Sequence, residues 1–256
     1  LEYNRDRLKD NMWGYNRHTD QTVNIYSAFL QNEWKNDRWG ILIGGRLDKH
    51  NMVDNVIFSP RANLRFNPTQ NINLRLSYSS GFRAPQAFDE DMHIENVGGT
   101  VAMIERAKDL KEEKSQSFSV SADMYHRFGA FQTNLLIEGF YTRLTDVFVL
   151  GKPYDRGDGI LVKTRSNGPG AKVMGLTLEG KVAYLSILQI QAGLTLQRSR
   201  YDEPHKWHDD APAEKKIFRT PDTYGYFTAT CTPIKPLSIA LSGTYTGRML
   251  VQRMDI

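Results

Sequence analysis

Cysteine is nearly missing: Cys231 is the only one in 256 residues. A single thiol excludes an intrachain disulfide and a thiolate metal cage. Long apolar runs are missing too, and no stretch approaches the ~18 consecutive apolar residues of a membrane helix. No block of one charge sign stands out, and 33 basic against 29 acidic residues leave a net charge of +4. That excludes the concentrated basic footprint of a nucleic-acid binder and reads as charge solvated in loops and along polar surfaces. Nothing resembles a nucleophile elbow, a phosphate loop or a zinc-binding helix, so no catalytic residue is assigned and no enzyme is read. The chain opens at Leu1-Glu2 without a Met or a signal peptide, so a processed chain or a fragment is expected.

What is present is a two-residue rhythm. Ile72, Leu74, Leu76, Tyr78 and Phe82 share one face, opposite Asn71, Asn73, Arg75, Ser77 and Ser79. Such alternation marks a strand with one apolar and one polar side. It recurs over residues 38–48, 58–66, 117–124, 176–184, 190–197 and 237–245. Three segments of less regular phase, near 21–34, 131–146 and 220–233, bring the count to ten strands. Mean hydropathy is −0.51 with 40% hydrophobic residues. A transmembrane barrel looks this polar because lipid-facing apolar residues alternate with lumen-facing polar ones.

The connections alternate as well. Short ones carry turn formers, among them Lys35-Asn36-Asp37, Asn67-Pro68-Thr69-Gln70, Arg127-Phe128-Gly129 and Pro233-Ile234-Lys235-Pro236. Long ones lie at about 49–56, 83–115, 147–171 and 202–219. Segregated loop lengths, and strands close to the roughly 9–11 residues of a tilted crossing, predict an antiparallel up-and-down transmembrane β-barrel. Trp34, Trp39, Phe66, Phe128, Phe131 and Tyr184 gather near the short turns, as an interfacial girdle would. A sandwich core would place its aromatics mid-strand instead.

Particular residues then carry a resemblance. Ser77-Tyr78-Ser79-Ser80-Gly81-Phe82-Arg83-Ala84-Pro85 resembles the segment of TonB-dependent receptors in which a strand enters an extracellular loop. Gln86-Ala87-Phe88-Asp89-Glu90-Asp91 is similar to the continuation in receptors of Bacteroidetes-type bacteria. Leu110-Lys111-Glu112-Glu113-Lys114-Ser115 resembles the place where a strand resumes, with Glu112 where Pro is usual. Ser59-Pro60-Arg61-Ala62, Glu138-Gly139-Phe140-Tyr141 and Tyr245-Thr246-Gly247-Arg248-Met249 fit the same group. The resemblance implies a 22-stranded barrel around a plug, so residues 1–256 would form a partial barrel domain without the plug or the last strands. It also implies a bacterial outer-membrane importer, coupled to the TonB complex through the plug and surrounded by outer-membrane lipid. The expected cargo is a small molecule or iron complex, first a ferric siderophore, with haem or cobalamin as alternatives and no resident cofactor. A plugless barrel acting as a pore or adhesin, and a soluble β-sandwich binding module, are the rival readings.

Candidate ligand contacts are confined to the long loops. Tyr201, His205, Lys206, Trp207 and His208 combine aromatic and basic groups able to grip an anionic ferric catecholate. Arg83 closes the loop-entry motif, and pairing with a carboxylate at the strand end is its plainer role. His93 sits among Asp89, Glu90, Asp91 and Glu95, an acidic cluster read as solvated, and is the residue a haem reading would use. No metal site is assigned. Arg46, Arg61, Arg65 and Arg75 are expected on the lumen wall, together with Glu138 and Glu179.

Overall fold

The computed structural model describes residues 1–86, 95–97, 100–206 and 212–251. Five strands open the chain: β1 (Glu2–Met12), β2 (Arg17–Lys35), β3 (Trp39–His50), β4 (Ile57–Thr69) and β5 (Ile72–Arg83). Then come β6 (Glu95–Val97), β7 (Thr100–Arg106), β8 (Glu113–Phe128) and β9 (Phe131–Thr145). β10 (Phe148–Leu150), β11 (Tyr154–Asp155) and β12 (Leu161–Asn167) lead into β13 (Ala171–Tyr184) and β14 (Leu188–His205). β15 (Glu214–Lys216), β16 (Thr223–Ile234) and β17 (Leu237–Thr246) follow. No helix among the described residues is long and apolar enough to cross a membrane.

The long strands make one antiparallel sheet in the order β1-β2-β3-β4-β5-β8-β9-β13-β14-β16-β17, with β15 beside β14. Register joins the alternations into two continuous faces. One row runs Leu74, Ala122, Ile137, Leu178, Leu194, Gly225 and Tyr245 across seven strands. The row beside it, on the other face, runs Arg65, Arg75, Ser121, Glu138, Thr177, Thr195 and Tyr224. Burial is inverted relative to a water-soluble sheet. Leu241 is 62% and Val120 59% exposed on the apolar face, while Asp48 and Ser199 are 1% exposed on the polar one. A continuous apolar face of this extent is stable only against hydrocarbon. The girdle is formed as expected: Trp39 stacks on Phe66 at 4.3 Å, Phe128 on Phe131 at 5.5 Å, and Phe131 lies 4.8 Å from Tyr184.

Ten of the eleven long strands coincide with the periodic segments; β1 does not. Its residues, Glu2 to Met12, pair with β2 from Ser27 up to Arg17, and the top of β3, His50, already lies opposite Ile25. Most of this hairpin therefore stands above the sheet rim, where neither face meets lipid and no apolar alternation is selected. The same geometry explains the irregular phase of β2. In β9 the phase is blurred because Phe140 packs on the polar face over Gly175 and Leu144 packs into a rim cluster.

The long connections are not plain loops either. Those at 83–115 and 147–171 contribute a five-stranded sheet, β10-β12-β7-β6 with β11 beside β12. Its centre is a parallel ladder from Leu161 opposite Ala102 to Arg165 opposite Arg106, with Met103 and Val162 buried.

Candidate functional site

The loop end of the polar face carries the most developed cluster of functional side chains. β5 ends at Arg83, directly opposite Glu113 at the start of β8. The Arg83 guanidinium lies 5.5 Å from the centroid of the Phe148 ring, and the Phe148 backbone N–H donates to Glu113 Oε2 at 2.8 Å. Glu113 thus holds the first strand of the loop sheet against the rim, and Arg83 rests on its aromatic face. Two further ties fasten that sheet: Arg106 Nη1 donates to the Pro85 carbonyl at 2.7 Å, and the Lys111 N–H donates to Asn167 Oδ1 at 2.7 Å.

Tyr201 lies on the same face, where β14 outruns the membrane-crossing length. It is buried with Val147 and Ala171, against Leu144 and Ile217. Its ring lies 6.2 Å from that of His205. Burial, aided by the Glu113 carboxylate, raises the Tyr201 phenol above its ordinary range, and burial lowers the His205 imidazole. Beside them Arg143 grips Asp202 with both terminal nitrogens at 2.6 Å, which lowers the Asp202 carboxyl. Arg83, Glu113, Phe148, Tyr201 and His205 together form a part-buried patch of aromatic and ionisable groups able to receive an anionic or aromatic solute.

Of the predicted contacts, the fold brings Arg83, Tyr201 and His205 to this patch. Tyr201 enters it as a core residue with little surface of its own. His93, Trp207 and His208 lie outside the described residues, as do Asp89, Glu90 and Asp91. Glu113 and Phe148 were not singled out as site residues; Glu113 lay inside the strand-resumption motif, whereas Phe148 has no local signal. The described residues hold no group of three or more potential metal ligands. Asp158, in the turn after β11, is held by Arg156 at 2.5 Å.

Deeper on the polar face, the predicted wall is present. Arg65 and Arg75 oppose each other directly, with Glu33 across a hollow of ≈ 190 Å³. Arg65 Nε is buried without a hydrogen-bond partner, and Arg75 Nε donates to Asn73 at 2.9 Å. Arg46 is different: its Nε donates at 2.7 Å to the buried Asp48, which also accepts from Ser27 at 2.6 Å.

The family model "TonB dependent receptor-like, beta-barrel" matches residues 1–249. The chain belongs to that family. The polar face is accordingly the lumen wall and the apolar face meets outer-membrane lipid. Three solved structures of TonB-dependent receptors share the fold at low identity. The siderophore receptor PirA from Pseudomonas aeruginosa matches 95% of this chain and 44% of its own, at 17% identity and a TM-score of 0.71. The FrpB iron transporter from Neisseria meningitidis matches 89% of this chain and 33% of its own, at 16% identity and a TM-score of 0.62. The alcaligin outer-membrane receptor FauA from Bordetella pertussis gives 90%, 38%, 16% and 0.55 in the same order. The chain thus spans less than half the length of these TonB-dependent receptors. Comparison with curated proteins finds no match.

Proposed function

We propose that the chain is the partial barrel domain of an energy-coupled outer-membrane importer whose cargo is a ferric siderophore. The observation that carries this reading is the rim patch: Arg83 on Phe148, with Tyr201 and His205 beside it, at the loop end of a sheet of the receptor family. Cationic and aromatic groups at the mouth suit a bulky anionic iron chelate. The Arg61, Arg65 and Arg75 wall suits a plug that carries acidic groups, and the plug would in turn engage the TonB complex.

The test is binding of ferric siderophores to the full-length receptor, followed by intrinsic fluorescence, with haem and cobalamin run in parallel. Saturable quenching by an anionic ferric chelate, weakened in Arg83→Gln, is the expected result. Binding of haem with a Soret shift, or of cobalamin, in place of every ferric chelate would move the cargo assignment to those classes. Passive flux of small solutes without saturable binding would favour a pore.

A further inference from the structure

The chain does not leave the rim freely where β5 ends. Ala84 and Pro85, directly after Arg83, are buried, and residues 84–86 are gripped from two sides. From the loop sheet, Arg106 Nη1 donates to the Pro85 carbonyl. From β3, two strands away in the sheet, the ring of His50 reaches Gln86 Oε1 at 3.2 Å. The Gln86 N–H in turn donates to the Ala84 carbonyl at 2.8 Å, which closes a tight turn.

His50 is 0% exposed, and both of its ring nitrogens are bonded. Nδ1 accepts the Met52 backbone N–H at 3.1 Å. A nitrogen that accepts carries no hydrogen, so the network assigns a neutral imidazole with its proton on Nε2, and Nε2 donates to Gln86. The turn bearing Met52 is itself fixed. Val53 N–H donates to the His50 carbonyl at 3.1 Å, Asn51 Nδ2 donates to the Thr22 carbonyl at 2.9 Å, and Asn51 Oδ1 accepts from the Asn24 N–H at 2.9 Å. Val53 and Ile57 also pack with Ala84 and Phe82. A rigid turn on β2 and β3 thus carries the imidazole, and the imidazole holds the chain just beyond Arg83.

No charge on the neighbouring elements is bonded to that ring. Asp48, one inward position below on β3, is taken by Ser27 and Arg46. Lys49 is held by the Val53 and Asp54 carbonyls, and the residue opposite His50 on β2 is Ile25. Arg106 is on the Pro85 carbonyl, and Arg83 rests on Phe148. A proton added to Nδ1 would therefore face the Met52 N–H, donor against donor, and would put a charge where no water reaches. The neutral ring keeps both contacts; the charged ring must give up Met52 and turn away from Gln86.

We propose that His50 is an acid-sensitive positioning residue for cargo capture. Its neutral imidazole holds residues 84–86, and through them the Arg83 guanidinium over Phe148; protonation releases them. The clasp is complete while the ring is neutral and is lost as falling pH charges it. This assignment rests on the rim patch as the cargo seat.

The test uses the full-length receptor in detergent and two readouts. Hydrogen-exchange protection at residues 51–53 and 84–86, each rate taken relative to the intrinsic amide rate at that pH, reads the clasp without cargo. Binding of a ferric tris-catecholate, followed by intrinsic fluorescence, reads the seat. From about pH 7.5 to about pH 5.5, the span in which an imidazole commonly charges, parent protection should fall severalfold at both segments. Affinity should fall by roughly threefold to tenfold, the scale of one hydrogen bond. In His50→Gln the amide nitrogen reaches the Nε2 position and takes up no proton, so protection should stay flat over the same span. The ratio of its affinity to that of the parent cancels any effect of acid on the chelate itself. Gln86→Ala should lose protection at 84–86 already at the upper pH and keep the acid response at 51–53. Its side chain is only half-buried, so it carries the test even if His50→Gln does not fold. Flat protection in the parent, the same acid loss in His50→Gln, or parent-like protection in Gln86→Ala would each overturn the proposal. So would an affinity that fails to follow the clasp. Should no ferric chelate bind the parent, the cargo assignment falls, while exchange at the two segments still upholds or overturns the clasp.

Discussion

Tyr226 on β16 reaches across β14 to donate its phenol hydrogen to Glu179 Oε2 on β13 at 2.5 Å. The strand between them offers Gly193 at that position, opposite both residues. A Cβ at Gly193 would lie 2.5 Å from the Tyr226 ring, so the missing side chain is the seat of the aromatic one. Gln191 donates to Glu179 at 3.1 Å and to the Tyr226 oxygen at 2.7 Å, completing a three-strand lumenal tie. Tyr226→Phe should cost about 1 kcal/mol, the scale of one side-chain hydrogen bond. Gly193→Ala should cost about 1–3 kcal/mol because the whole ring must move. Urea unfolding of the full-length receptor in lipid vesicles measures both, and a Gly193→Ala variant as stable as the parent would refute the seat.

The two sheet faces make a sharper contrast. Leu178 is central on the lipid face and Thr177 is its neighbour on the lumen face. Arginine at the bilayer midplane of a barrel costs about 2–4 kcal/mol, whereas lumen positions tolerate charge. Leu178→Arg should therefore reduce the folded fraction in vesicles strongly and Thr177→Arg only slightly. Equal losses would mean that the face assignment is wrong.

Acid should loosen the rim beside Tyr201. The Asp202 carboxyl is lowered chiefly by its hydrogen bonds to Arg143. A carboxyl with a lowered folded-state pKa contributes stability that is present above its unfolded value, near 3.8, and lost as pH falls through the folded one. Hydrogen-exchange protection around residues 202 and 215–217, each rate taken relative to the intrinsic amide rate at that pH, should fall below about pH 4 and stay flat from there to neutrality. Arg143→Gln should remove most of that acid dependence; an unchanged profile in the variant would assign it to another group.

Tyr201 separates architecture from recognition. Its ring is packed against Val147 and Ala171, so Tyr201→Ala should open the rim cluster at a cost of about 3–5 kcal/mol. Tyr201→Phe keeps the packing and removes the hydroxyl. Cargo affinity close to the parent in Tyr201→Phe, with loss in Tyr201→Ala, identifies a positioning role; loss in both identifies a direct contact through the hydroxyl.

Side-chain alternation is a local property of a strand, set by a pleat of two residues. Leu74, Leu76 and Tyr78 against Arg75, Ser77 and Ser79 therefore announced a lipid face and a lumen face before any pairing was known. The girdle at Trp39 and Phe66 and the lumen position of Glu138 and Glu179 were legible for the same reason. β1 was not, because a hairpin wetted on both sides needs no apolar rhythm. The loop sheet was not, because the ladder of β7 with β12 joins segments far apart in the chain, and no local pattern encodes their partnership. Register decided the rest. Nothing local pairs His50 with Gln86, and only the lateral order of β3, β4 and β5 brings them within hydrogen-bond reach. Tyr201, which composition offers as a loop contact, is taken into a core because β9, β13 and the residues after β15 converge around it.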